Sequence, residues 1–253
     1  MNRMRGFSRR PLLAVDAQGY GASTPLRKHW IQTAIDHALT EAATEVGFDR
    51  GAWKTQVAGD SALSVLPAEE SEPLLVDDFM RHLDSALSEV NDGREPGARL
   101  RLRAAVHHGP AVPAAGGFSD SGPVEISRIL DCAPLKKALR LSPRAQLAMA
   151  VSREVFHTVI GRKYTTLKAE EFREFRVRDK EFDDTVWIRV LGGDVHGLGG
   201  LGGLDGDGPG PQDPGAPPSS PPGPAGMPGQ QSVQYVTGPV HGSVIGIVNN
   251  PGA

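Results

Sequence analysis

The chain has 253 residues, a net charge of −3, 39% hydrophobic and 23% charged residues, and one cysteine, Cys132. That length supports one folded domain with a tail. The charge does not call for nucleic acid, and a single thiol excludes an internal disulfide framework and a multi-thiolate zinc site. No apolar run approaches the roughly 20 residues of a membrane span, and the basic start Met1–Arg10 has no apolar stretch of signal-peptide length behind it. The expectation is a soluble, cytoplasmic protein.

The spacing of apolar residues predicts the elements in order. Pro11–Asp16 is a strand. Pro25–Val46 has helical spacing, with proline in the first turn where its missing N–H is harmless. Trp53–Ala58 and Ala62–Leu66 are strands around a Gly59-Asp60-Ser61 turn. Leu74–Val90 is an amphipathic helix, and Arg99–His107 alternates as a half-buried strand. Val124–Leu139 reads as one helix and Gln146–Val151 as a short strand. Ser152 caps a helix reaching Val159, with Glu154 in its first turn. Phe172–Arg178 and Thr185–Leu191 form a second hairpin. The order is β-α-β-β-α-β-α-β-α-β-β, an α+β chain whose first part is the ferredoxin-like β-α-β-β-α-β unit.

Composition changes at Gly192. Residues 192–231 are mostly Gly, Pro, Ser and Asp, with little to bury, which predicts a disordered linker. The predicted organisation is a domain at 11–191, a linker at 192–231 and a short motif at 232–250.

Two apolar runs end in a carboxylate and a glycine turn: Leu12–Asp16 before Gly19-Tyr20, and Val57-Ala58-Gly59-Asp60. Strands that deliver Asp to tight turns are suited to holding divalent metal; as turn formers, the same residues also serve a purely structural pair. His107 and His108 are adjacent on a strand and point to opposite faces, so they do not share an ion. Cys132 reads as a small buried hydrophobe. Lys136, Lys137, Arg140 and Arg144 read as a solvated helix face.

Four segments together resemble the class III adenylyl and guanylyl cyclase homology domain: Val15-Asp16 with Gly19-Tyr20, Gly59-Asp60-Ser61, Arg103–Val112 with its His-x-Gly step, and Gly122–Leu130. The terminal hairpin at 172–191 matches the last two strands of that family. The resemblance implies that Asp16 and Asp60 hold Mg2+ or Mn2+ on a purine nucleoside triphosphate, in a two-metal arrangement. It places Gly19 and Tyr20 at the nucleotide and Gln56 at the purine-reading position, where adenylyl members commonly carry Lys and guanylyl members Glu. Lys54, on the same strand face, reads as a solvated edge residue.

The chain departs from the family in the helix after Gly122. Glu125 stands where the family has a ribose-orienting Asn, and Ile129 where it has an Arg that stabilises transition-state charge. Arg128 is the candidate substitute, about 100° round the helix. Loss of such an Arg costs on the order of 10³–10⁵ in rate, so the chain alone is expected to be a very poor cyclase. Family sites form between two domains. The implied partner is a second copy, or a different cyclase-like domain that supplies the Asn and Arg.

The segment 232–250 is uncharged and alternates Val, Ile and Tyr with Gly, Ser and His. It is similar to the short amyloid-type signalling motifs related in pattern to the RHIM core, carried here by Val240, Gly242, Val244, Ile245 and Gly246. The implied partner is a chain with a like motif. The alternatives are a last strand packed on the domain, or disorder.

Overall fold

The computed structural model describes residues 8–114, 117–179 and 181–201. The proposed linker and terminal motif lie outside the described residues, apart from the first ten linker residues. A mixed seven-stranded sheet runs in the order β2-β3-β1-β4-β7-β9-β8. Its strands are β1 (Arg9–Ala17), β2 (Lys54–Ala58), β3 (Ser61–Val65), β4 (Leu102–Pro110), β7 (Leu147–Ser152), β8 (Arg173–Asp179) and β9 (Phe182–Val190). A separate hairpin joins β5 (Val112–Ala114) and β6 (Gly117–Ser119). β4 and β7 pair in parallel; the other neighbours in the sheet are antiparallel.

Alternation along β1 sends side chains into two cores. Leu13, Val15 and Ala17 pack with α1 (Pro25–Glu45) and α3 (Asp78–Val90), while Leu12 and Ala14 pack with α4 (Ser121–Asp131) and α5 (Ala133–Leu141). The sheet is thus covered by helices on both faces, which explains why the middle of β1 is apolar at every position. Each fully buried Leu or Phe here, such as Phe79 or Leu83, contributes about 1.5–3 kcal/mol relative to exposure.

α1 begins as its sequence predicts. The Thr24 side chain accepts from Arg27 N, Pro25 follows, and Ile31, Ala34, Ile35, Ala38 and Leu39 form the buried stripe. Two predicted helices are each broken. The 74–90 helix is α2 (Glu72–Val76) and α3, separated at Asp77, whose carboxylate accepts from Thr166 N and Oγ1 at 2.7 Å. The 124–139 helix is α4 and α5, because Cys132 is extended and Pro134 opens the second helix. β4 starts at Leu102, later than expected, and continues to Pro110. α6 (Arg153–Val155) runs into a π turn at Phe156–Ile160.

Gly122 brings the start of α4 against the end of β4. A Cβ there would lie 2.4 Å from Pro110 O, and one on Gly109 would lie 2.5 Å from His107 Nε2. Only glycine fits this backbone-to-backbone contact.

Candidate functional site

The candidate site lies at the β1 end that leads into α1. Register places Asp16 opposite Ser61 of β3 on one side and Arg103 of β4 on the other. Asp60 immediately precedes Ser61 in the turn, so the topology brings the two carboxylates together although 44 positions separate them in sequence. Their charges interact: Asp60 raises the Asp16 carboxyl.

Local contacts fix the turn. Gly59 has φ +63, and a Cβ there would lie 3.4 Å from the Tyr20 ring. Gln32 Nε2 on α1 donates to Gly59 O at 2.9 Å and to Tyr20 Oη at 3.2 Å. Gly19 is left-handed at φ +82, which turns β1 toward α1. Gln32 and Tyr20 therefore hold the hairpin that carries Asp60. Beside it, Gln32, Ile35, Leu39, Val57 and Asp60 line a small groove of about 40 Å³.

Arg103 is the residue that sequence reasoning missed. Its Nε and Nη2 donate to the two carboxylate oxygens of Asp16 at 2.6 and 2.5 Å, with both side chains nearly buried. Such a two-pronged pair is strong and geometrically specific. The available signal was an arginine set between Leu102 and Ala104-Ala105-Val106 in a strand, since arginine is almost never buried without a partner.

Burial raises the Asp16 carboxyl above its ordinary value, and Asp60 adds to the rise, while Arg103 and Lys136 of α5 oppose it. Burial also raises Asp60, against a hydrogen bond from the Ala17 backbone and the charges of Arg103 and Lys28. Lys136 also pairs with Asp131.

Among the described residues no three His, Cys, Asp or Glu side chains form a group suited to a metal, and Asp16 and Asp60 stand as a pair. A buried and a half-buried hard-oxygen donor, whose mutual repulsion raises a carboxyl, fit a cation such as Mg2+, which keeps several waters of its own. Arg103 competes for the Asp16 oxygens.

The remaining predicted residues lie elsewhere. Gln56 is exposed on β2 and turned toward Gly117, where a Cβ would meet its Oε1 at 2.5 Å. Lys54 is exposed. Ile129 is buried in the core beneath the sheet, 1% exposed. Glu125 lies 3.1 Å from His107 Nε2. His107 is buried, burial lowers its pKa, and neither ring nitrogen has a well-aligned hydrogen bond among the described residues. His108 points the other way, 3.3 Å from Glu72. Arg128 donates to Asp179 at 2.6 Å, at the end of β8. The Cys132 thiol is buried and pushed up to about 11, so it stays protonated.

No family model matches the chain, and no curated protein matches it in sequence. Solved structures do match. The guanylyl cyclase Cya2 superposes with a TM-score of 0.50 at 16% identity, over 74% of this chain and 93% of that one. The guanylate cyclase domain of RhGC from Catenaria anguillulae, in complex with GTP, gives 0.48 at 12% identity, over 74% and 98%. An adenylate/guanylate cyclase/hydrolase from Silicibacter pomeroyi gives 0.47 at 16%, over 72% and 96%. The shared feature is the fold: the described part of this chain is an α+β domain of the nucleotidyl cyclase type, built on a ferredoxin-like core.

Proposed function

We propose that the domain binds a purine nucleoside triphosphate with Mg2+ or Mn2+ at Asp16 and Asp60, and turns it over poorly or not at all on its own. The juxtaposition of the two carboxylates across β1 and the β2–β3 turn carries this reading. A bound divalent ion would neutralise the triphosphate and polarise the attacking hydroxyl. Asp16 and Asp60 would hold it, and the Gly19-Tyr20 turn would orient the phosphates. The impairment rests on α4, where Ile129 is committed to the core and Glu125 faces His107. Neither offers a donor to a developing charge.

A partner domain bearing the missing Asn and Arg would complete the site. Val57 and Val124 are 65% and 56% exposed on β2 and α4 and offer apolar surface for such an association, with a second copy or a different cyclase-like domain. The segment around Val240, Gly242, Val244, Ile245 and Gly246 would then act as a homotypic adaptor in a signalling or defence pathway. The residue pattern alone supports this tail role. Val244→Asp or Ile245→Pro should abolish assembly of a tail fusion without changing the melting temperature of the domain.

Calorimetry with ATP and GTP tests the binding. Heat is expected only with Mg2+ or Mn2+, and Asp60→Asn should weaken it at least about tenfold. Metal-independent heat, or an unchanged Asp60→Asn, would leave the carboxylates as a structural pair.

A further inference from the structure

Residues 192–201 follow β9, and five of the ten are glycine. They nevertheless pack on the domain. Val195 and Leu201 are 1% and 4% exposed. With the partly buried Leu198 they join the apolar cluster that holds Leu135, Ala138 and Leu139 of α5 and Phe175 of β8. Polar contacts tie the same segment down. Lys137 of α5 donates to Gly200 O, Arg173 Nη2 of β8 donates to Leu201 O at 2.9 Å, and His196 Nε2 donates to Glu170 O at 3.0 Å. The segment is a strap laid across α5 and β8.

The strap is weakly held for its length. It forms neither helix nor strand, so no backbone ladder binds it to the domain. Ordering a glycine costs more conformational entropy than ordering any other residue. Two buried side chains and a partly buried third offset that cost. Segments with so few apolar anchors open before the rest of a fold.

The two ends of α5 are held differently. Its C-terminal end is pinned by Arg101, whose Nη2 donates to Leu139 O and Ser142 O at 2.6 and 2.5 Å. Its N-terminal end follows the extended Cys132, and no side chain caps it. About one turn in, Lys137 is tied to the strap.

We propose that the strap is a latch on α5. A pull on the chain beyond Leu201 lifts the strap, frees the N-terminal end of α5 and uncovers Cys132, while Arg101 keeps the other end in place. The latch transmits an event on the tail to the domain and does not depend on metal or nucleotide.

Hydrogen exchange of the full chain tests this, with the Cys132 thiol as a second reporter. That thiol is 5% exposed and pushed up to about 11 by burial, so a thiol reagent modifies it slowly until α5 lifts. Val195→Asp with Leu201→Asp frees the strap. In this double variant the amides of Ala133–Leu141 should exchange, and Cys132 should be labelled, at least about tenfold faster. The amides of α1 and α3 should keep their wild-type protection. Lys137→Met leaves the apolar contacts in place and should move both readouts the same way by a smaller factor; it decides the question if the double variant does not fold. Stretching the full chain by its two ends should release the strap first, a lengthening of up to about 35 Å that the double variant lacks. Unchanged exchange in α5 would overturn the proposal. So would an equal loss of protection in α1 and α3, since the strap would then support the whole fold, or a stretched chain whose domain unfolds with no earlier step.

Discussion

Asp16 and Arg103 face each other across β1 and β4, joined by two hydrogen bonds of 2.6 and 2.5 Å in a nearly buried setting. The Arg103 charge opposes the rise that burial and the neighbouring Asp60 impose on the Asp16 carboxyl. The pair also places a permanent cation where a divalent ion would bind.

Arg103→Gln should therefore separate two effects. Without metal, the variant leaves Asp16 buried and unpaired, costing about 3–5 kcal/mol at neutral pH. The loss should shrink on acidification as Asp16 takes up a proton. Mn2+ should then raise the melting temperature of the variant more than that of wild type, because a competitor is gone and a bound ion stabilises by mass action. Thermal melts with and without Mn2+ check this; an equal response in both proteins would show that Arg103 does not compete.

Ile129→Arg should not restore catalysis. The side chain sits among Leu12, Ala105 and Ile126 beneath the sheet. An arginine there buries an unpaired charge, at a cost of about 3–5 kcal/mol. The expected result is a lowered urea midpoint and no cyclic product. A stable, active variant would mean that α4 can rotate to present this position.

His107 should make the domain acid-sensitive. Burial lowers its pKa below the ordinary 6.5, against the opposing pull of Glu125 and Glu154. The unfolded chain binds this proton more readily, so the stabilising difference is complete above pH 6.5 and is lost as pH falls from 6.5 toward the folded value. His107→Gln should flatten the stability–pH curve in that window. A curve of unchanged slope would remove His107 as its cause.

Metal affinity should fall on acidification as well. Asp16 and Asp60 are both raised above 3.8, chiefly by burial, and a metal needs both deprotonated. Calorimetric titration of Mn2+ as pH is lowered should show affinity lost at a higher pH than for a pair of ordinary aspartates.

Much of this fold was legible in the sequence, because β1, α1 and the two hairpins have clean periods and explicit caps. The helix breaks were less so. The apolar period continues from Val124 to Leu139 through the extended Cys132, and only Pro134 marks the interruption. Asp77 breaks the other helix through Thr166, 89 residues away, and nothing local announces it. The β5–β6 hairpin is too short to show a period. At the site, both carboxylates could be named from their turns. Their guanidinium partner could not, because the Asp16–Arg103 contact depends on the β1–β4 register across 87 residues.

Mass spectrometry of purified protein incubated with ATP or GTP and Mn2+ tests the central claim most directly. The expected result is bound nucleotide and little or no cyclic product from the chain alone. Robust cyclisation that disappears in Asp16→Ala would contradict it, and would show that Glu125 and Ile129 do not disable the site.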